Sequence, residues 1–364
     1  ASKGWSHPEV LEIAEELRRR CTNAGDVEGR SWALFLIIYY LGNRPDFRSQ
    51  VPLLTESLKV AEASGNPLLL MAAHWSHIYY IWAGEPARAL EHLEQAASLL
   101  NDEIAEGYLR LTGFDARAIL PMWIGVALLF LGHADRAMLK LFQAVADADE
   151  LGNPFSRAFV RGLVGPILAH SGVEAGLVLS EECIAIASER GFDDVMLYGM
   201  LGRVFEAAAR GDGEPNERCL AMMEDSTFRQ PYPWCLRIRC ALLVAAGQAE
   251  KAMLEIRRTR DFMDESWVRF DESGIDRLEG DALALLDDFA GAEQAYLRAI
   301  EVARRQQMKP FELEAATALA RLWQHQGKVS EARDVLQPVH DWFTEGLDSR
   351  PVVEARELLD RLDV

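Results

Sequence analysis

Two histidines, His74 and His77, stand three residues apart. On a helix that spacing turns both rings to one side, where two imidazoles could share a metal ion. No further His, Cys or carboxylate joins them at ligand spacing, so packing or groove lining is the stronger reading and no metal is expected. His7, His92, His133, His170, His325 and His340 are scattered and read as surface or turn residues. Cys235 and Cys240, five apart, share neither a helical face nor a zinc knuckle. With Cys21, Cys183 and Cys219 they form no CxxC, which fits buried, reduced thiols. Gly211-Asp212-Gly213 lacks the preceding strand and the third glycine of a dinucleotide fingerprint. There is no GxxxxGK[ST] phosphate loop and no GxSxG elbow. The pairs Glu181-Glu182, Asp193-Asp194 and Asp287-Asp288 read as solvated helix ends or faces, and Arg257-Arg258-Thr259-Arg260 as a solvated basic face. These residue types point away from an enzyme and away from any cofactor.

The balance of charge narrows the partners. Acidic residues number 57 against 38 basic ones, a formal net charge of −19. A surface that negative repels phosphate, so neither nucleic acid nor an anionic membrane is an expected partner. About half the residues are apolar (49%) and a quarter charged (26%), a folding composition rather than a disordered one. The longest apolar stretches, Ala33 to Leu41 and Met122 to Leu131, fall short of a membrane span, and no secretory signal is visible. A cytoplasmic location is expected.

The elements that carry these residues are helices throughout. In Pro86 to Leu100, Ala89, Leu90, Leu93, Ala96, Ala97 and Leu100 share one stripe, with Glu91, His92 and Glu94 opposite. Helical segments stop at Gly42, Gly84, Gly132, Gly172, Gly211, Gly247 and Gly327, with Asp287 once in the equivalent place, at a period of about 40 residues. Five residues after the stop, Ala89, Ala137, Ala252, Ala292 and Ala332 recur. A glycine closes the first helix and a small residue lets the next cross it closely. Gly65-Asn66-Pro67, Gly152-Asn153-Pro154 and Lys309-Pro310 punctuate the return helices. The spacing predicts about eight helix pairs that must stack to bury their apolar faces, forming a single all-α domain over 1–364. Asn43 to Pro52 reads as a longer connection in the first pair, and residues 211–230 as an irregular repeat.

The pattern resembles a tetratricopeptide repeat of lengthened period, which implies a right-handed α-solenoid. Gly125 with Ala137 and Ala144, and Gly280 with Ala292, Tyr296 and Ala299, match its consensus. Ala315 to Gln324, Gln326-Gly327-Lys328, Glu331-Ala332-Arg333, Leu336, Pro338, Trp342-Phe343-Thr344-Glu345-Gly346 and Asp348 are similar to the end of a particular helical-repeat region. That region belongs to large bacterial signal proteins carrying an ATPase module, linked to a class III adenylate cyclase or a winged-helix module. Gly4, His7-Pro8-Glu9-Val10 and Glu16-Leu17 through Cys21 are similar to its start. The superhelix of MalT and other LuxR-type regulators is a more distant likeness. The resemblance implies a non-catalytic interaction and sensor domain that regulates an attached signalling or transcription module. A free-standing scaffold is the alternative.

In tetratricopeptide arrays first helices line the concave side. Counting back from each stop places Trp32, Leu36 and Tyr39 there in the first pair, Met71, His74, Ile78 and Ile81 in the second, and Ile119, Met122 and Val126 in the third. Aromatics at such sites either fill the inter-repeat core or form an apolar patch for a protein, a peptide or a small effector. The expected contacts are Trp32, Leu36, Tyr39, Met71, His74, Ile78 and Met122. Arg157 and Arg161, one turn apart, could meet an acidic group at the far end.

Overall fold

In the computed structural model, which describes residues 7–224 and 228–362, the glycine-to-small-residue rhythm becomes a stack of antiparallel helices. In chain order these are α1 (Pro8–Ala24), α2 (Val27–Asn43), α3 (Phe47–Ser64), α4 (Pro67–Ser76, extended by a 3-10 turn His77–Tyr80), α5 (Pro86–Leu99), α6 (Asp102–Thr112) and α7 (Ala116–Leu131). They continue as α8 (Ala134–Leu151), α9 (Pro154–His170), α10 (Ala175–Arg190), α11 (Asp193–Ala209), α12 (Glu214–Glu224) and α13 (Tyr232–Ala245). The last six are α14 (Ala249–Ser266), α15 (Glu272–Leu285), α16 (Phe289–Gln306), α17 (Lys309–His325), α18 (Val329–His340) and α19 (Arg350–Leu362). No strand occurs among the described residues. Eight pairs, α2/α3, α4/α5, α7/α8, α9/α10, α11/α12, α13/α14, α15/α16 and α17/α18, pack in succession, with α1, α6 and α19 beside them. The fold is an all-α, tetratricopeptide-like solenoid.

The turn chemistry follows the sequence closely. Gly84, Gly132, Gly172, Gly211, Gly247 and Gly327 take left-handed φ, and Asp287 does the same at φ 60°. Asn66 and Asn153 cap α4 and α9 through Leu68 N (3.0 Å) and Ser156 N (2.8 Å), each followed by proline. Ala89, Ala137, Ala252, Ala292 and Ala332 are all fully buried at the crossings. A side chain at Gly125 would strike Leu141 and the Ala137 carbonyl, and one at Gly280 would strike the Tyr296 ring.

Three local expectations change. Gly42 lies inside α2, not at its end; it is small because the Tyr79 ring occupies the place of its Cβ. The connection after it is short, because Asp46 accepts from Ser49 N at 3.1 Å and starts α3 at Phe47, leaving Pro52 inside the helix. In the irregular repeat, whose residues 225–227 lie outside the described set, the missing alanine is replaced by Asn216, buried, with Nδ2 donating to the Cys235 carbonyl at 3.1 Å. Gly4, like the other residues before His7, also lies outside the described set.

The solenoid coils until its later pairs rest on its first ones. The Asn43 carbonyl accepts from Arg229 N at 2.9 Å, and the Trp82 carbonyl accepts from Arg269 N and Phe270 N at 2.7 and 3.2 Å. Trp82 also meets the rings of Trp234 and Phe270, each with centroids 5.0 Å apart. The turns of the first three pairs thus sit on connections between the later ones. One apolar core runs continuously from Phe35 to Met308.

Candidate functional site

Tight coiling decides what the concave side can hold. Across the first half of the solenoid the inside is filled by rings. Tyr39 meets Phe35, Trp75 and Phe114 at centroid distances of 6.3, 6.3 and 5.8 Å. Phe114 meets Phe155 and Phe159 at 5.0 and 5.2 Å, and Phe159 meets Tyr198 at 6.0 Å. Such edge-to-face and offset contacts pack an aromatic interior densely. Burial pushes the Tyr39 hydroxyl above its ordinary range, with Asp194 adding to the rise.

This filling relocates most of the predicted contacts. Met71, Ile78 and Met122 are 0%, 2% and 0% exposed and belong to the core, not to an open wall. Trp32, Leu36 and Tyr39 are partly buried and packed against that core. His74 is half-buried. Its Nδ1 lies 3.0 Å from Nδ1 of His92, and the His77 and His92 ring centroids lie 3.8 Å apart with the planes tilted by 31°, so His92 is a packing residue of α5 and not an isolated surface group. Burial lowers the His77 imidazole to about 3, helped by His92, and burial lowers His92 to about 4, helped by His74. Among the described residues no three His, Cys, Asp or Glu groups are placed to hold a metal ion. All five cysteines are free and buried. Arg161, 5% exposed, is tied to Asp149 at 2.8 Å and Glu182 at 2.7 Å, and Arg157 shares Asp149 at 3.1 Å. These arginines bind α9 to α8 and α10.

The inner wall becomes polar in the second half. The register that singled out Trp32, His74 and Met122, ten residues before the stop, falls on Arg237 in α13 and Arg277 in α15. Nε of Arg237 lies 3.1 Å from Oδ1 of Asp271, a buried carboxylate at the start of α15, and its guanidinium sits over the Phe311 ring at 5.7 Å. Glu314 of α17 stands between the two arginines, 3.7 Å from Arg237 and 3.6 Å from Arg277. Arg277 reaches Asp281 at 2.5 Å, and the Tyr296 hydroxyl donates to the same carboxylate at 2.8 Å. Burial raises Asp271 to about 6 against the pull of Arg237.

His170, the last residue of α9, is exposed, and Arg237 of α13, Glu314 of α17 and Arg350 of α19 act on it electrostatically. Loss of bulk water lowers it to about 4, with Arg237 pushing the same way. Phe205 of α11 lies against it at 4.8 Å. The ion-paired side chains of α13, α15 and α17 and the exposed His170, whose imidazole is lowered below its ordinary range, thus form one electrostatically linked cluster. Its residues were missed because the count back from the stops was applied to the aromatic pairs alone.

No protein-family model matches the chain, and no curated protein matches it significantly. Among solved structures it is similar to a Rap protein complexed with competence and sporulation factor, at 13% identity and a TM-score of 0.49, covering 89% of this chain and 98% of that one. It is also similar to the P58(IPK) TPR domain, at 11% identity and a TM-score of 0.26, covering 97% and 98%. The assignment of the fold rests on the helix pairs themselves.

Proposed function

We propose that this chain is a single non-catalytic recognition domain whose inner wall takes a protein or peptide, and that occupancy regulates an attached signalling or transcription module. The observation that carries the reading is the cluster of Arg237, Arg277, Asp271 and Glu314 together with the exposed His170, which draws on α9, α13, α15 and α17. Aromatic flanks supply apolar contact, and arginines supply directional donors, the combination that concentrates binding energy in few residues. Regulation of an attached module follows from the resemblance of the Trp342 to Gly346 motif to ATPase-linked signal proteins. The domain itself is expected neither to hydrolyse ATP nor to make a cyclic nucleotide.

The test is binding to an array of random octapeptides. Selective binding is expected, lost when Ala241→Trp adds bulk one helical turn beyond Arg237 on α13, where Ala241 is half-buried, and kept when Leu139→Trp alters the outer face, where Leu139 is 70% exposed. Binding indifferent to both substitutions overturns the reading. So does turnover of ATP that survives purification.

A further inference from the structure

We propose that Arg237 anchors a carboxylate of the occupant. The proposal rests on this cluster being a recognition surface. It concerns what that surface reads.

Arginine recognises a carboxylate through the fork of its terminal nitrogens, provided the fork is held still and left open. Arg237 is placed for this: its Nε lies 3.1 Å from Oδ1 of the buried Asp271, an ion pair without hydrogen-bond geometry, and its guanidinium sits over the Phe311 ring at 5.7 Å. The terminal end is free of hydrogen bonds among the described residues, its nearest carboxylate being Glu314 at 3.7 Å, beyond hydrogen-bonding reach. The other arginines here differ. Arg277 is engaged by Asp281 at 2.5 Å, and Arg321 and Arg350 are both held by Glu354 at 2.9 and 2.7 Å.

The surrounding charge permits an anion. Arg237, Arg277, Arg321 and Arg350 are paired with Asp271, Asp281, Glu314 and Glu354, so these eight side chains sum to zero within a chain of net charge −19. His170 adds no charge at neutral pH. Glu314, at salt-bridge distance from two arginines and hydrogen-bonded to neither, is the group that yields when a better-placed carboxylate arrives. Phe311 and Phe205 then receive the apolar residue beside that carboxylate.

The carboxylate could come from a chain terminus or from an Asp or Glu side chain, and the experiment separates them. Octapeptide arrays are prepared with free or amidated C-termini, each with and without Asp and Glu, and binding is measured for the wild-type chain, R237Q and R237K. Binding by peptides that carry a carboxylate is expected to exceed that by amidated, Asp- and Glu-free peptides by about tenfold. The advantage should disappear in R237Q and shrink in R237K, which keeps the charge without the fork. Loss confined to amidation assigns the terminus, and loss confined to omission of Asp and Glu assigns the side chain. Equal binding by all four wild-type arrays overturns the anchor while leaving the recognition domain intact, and it does so without any variant. An advantage that persists in folded R237Q also overturns it. Absence of binding on every array overturns both readings together.

Discussion

Glu345 and Arg136 are 209 residues apart in sequence, and the carboxylate of Glu345 accepts from both the backbone N–H and the Nε of Arg136, each at 3.1 Å. The same carboxylate meets Nδ1 of His133 at 3.1 Å. Glu345 thereby satisfies a free N–H in the first turn of α8 and places negative charge at the positive end of its dipole, a cap supplied from the far end of the chain. Arg136 and His133 hold its carboxyl below the usual range against the effect of burial. Trp342 completes the clasp, packed against His133 at 5.5 Å with Lys309 over its ring. Glu345→Ala should cost about 1–3 kcal/mol in denaturant melts, the loss of a charge-assisted cap. A variant as stable as the wild type would show that the seam closes without it.

Overpacking tests the helix crossings. Ala137 lies at the α7/α8 crossing with no exposed surface, beneath Gly125. Ala137→Leu adds volume where the backbones already touch and should destabilise by about 1–3 kcal/mol. Ala146→Leu, on the exposed face of the same helix, should change stability by less than about 0.5 kcal/mol. Equal melting temperatures for the two variants would remove Ala137 from the crossing.

The legibility of the molecule divides along one physical line. Local rules fix a helix end at Gly132 or an N-cap at Asn153, so pair boundaries can be read from single residues and their neighbours. The tightness of the coil is decided by contacts such as Trp82 with Phe270, which no periodicity announces. That coil turned the predicted groove around Met71 and Met122 into core, whereas the same register positions in later pairs carry the half-buried Arg237 and Arg277. Those arginines were visible in sequence at the same offset as Trp32 and His74. What singled out the earlier pair was aromatic character, which marks interior as readily as interface. His92 was lost for a related reason: its partners lie on α4, and only the helix crossing brings them together.

Acid should weaken the α4/α5 pair. His77 is 2% exposed, and its imidazole is lowered to about 3. An unfolded histidine takes its proton near pH 6.5, while the folded one stays neutral, so stability falls as pH drops below 6.5 and continues to fall toward pH 3. At pH 5 the loss from this residue amounts to about 2 kcal/mol relative to neutral pH. Urea melts at pH 7 and pH 5 should show a smaller drop for His77→Gln, which keeps a polar group and cannot charge. Identical pH dependence in the two proteins would mean that His77 is not desolvated as its burial implies.

The buried carboxylate of Asp271 gives the opposite slope. Its folded pKa, about 6, lies above the unfolded value near 3.9. The folded state therefore holds the proton more tightly than the unfolded one. The stability this provides is complete below pH 3.9, declines as pH rises through 6, and changes no further above that. The separation of about two units corresponds to about 3 kcal/mol, most of it the cost of ionising a buried group, which Arg237 only partly offsets and to which Glu314 adds. Asp271→Asn is neutral at every pH and imitates the protonated form. Its stability relative to wild type should rise by about 2–3 kcal/mol between pH 4 and pH 7. A flat difference across that range would show that Arg237 compensates the charge in full, and a difference that falls would mean the ion pair stabilises the ionised form.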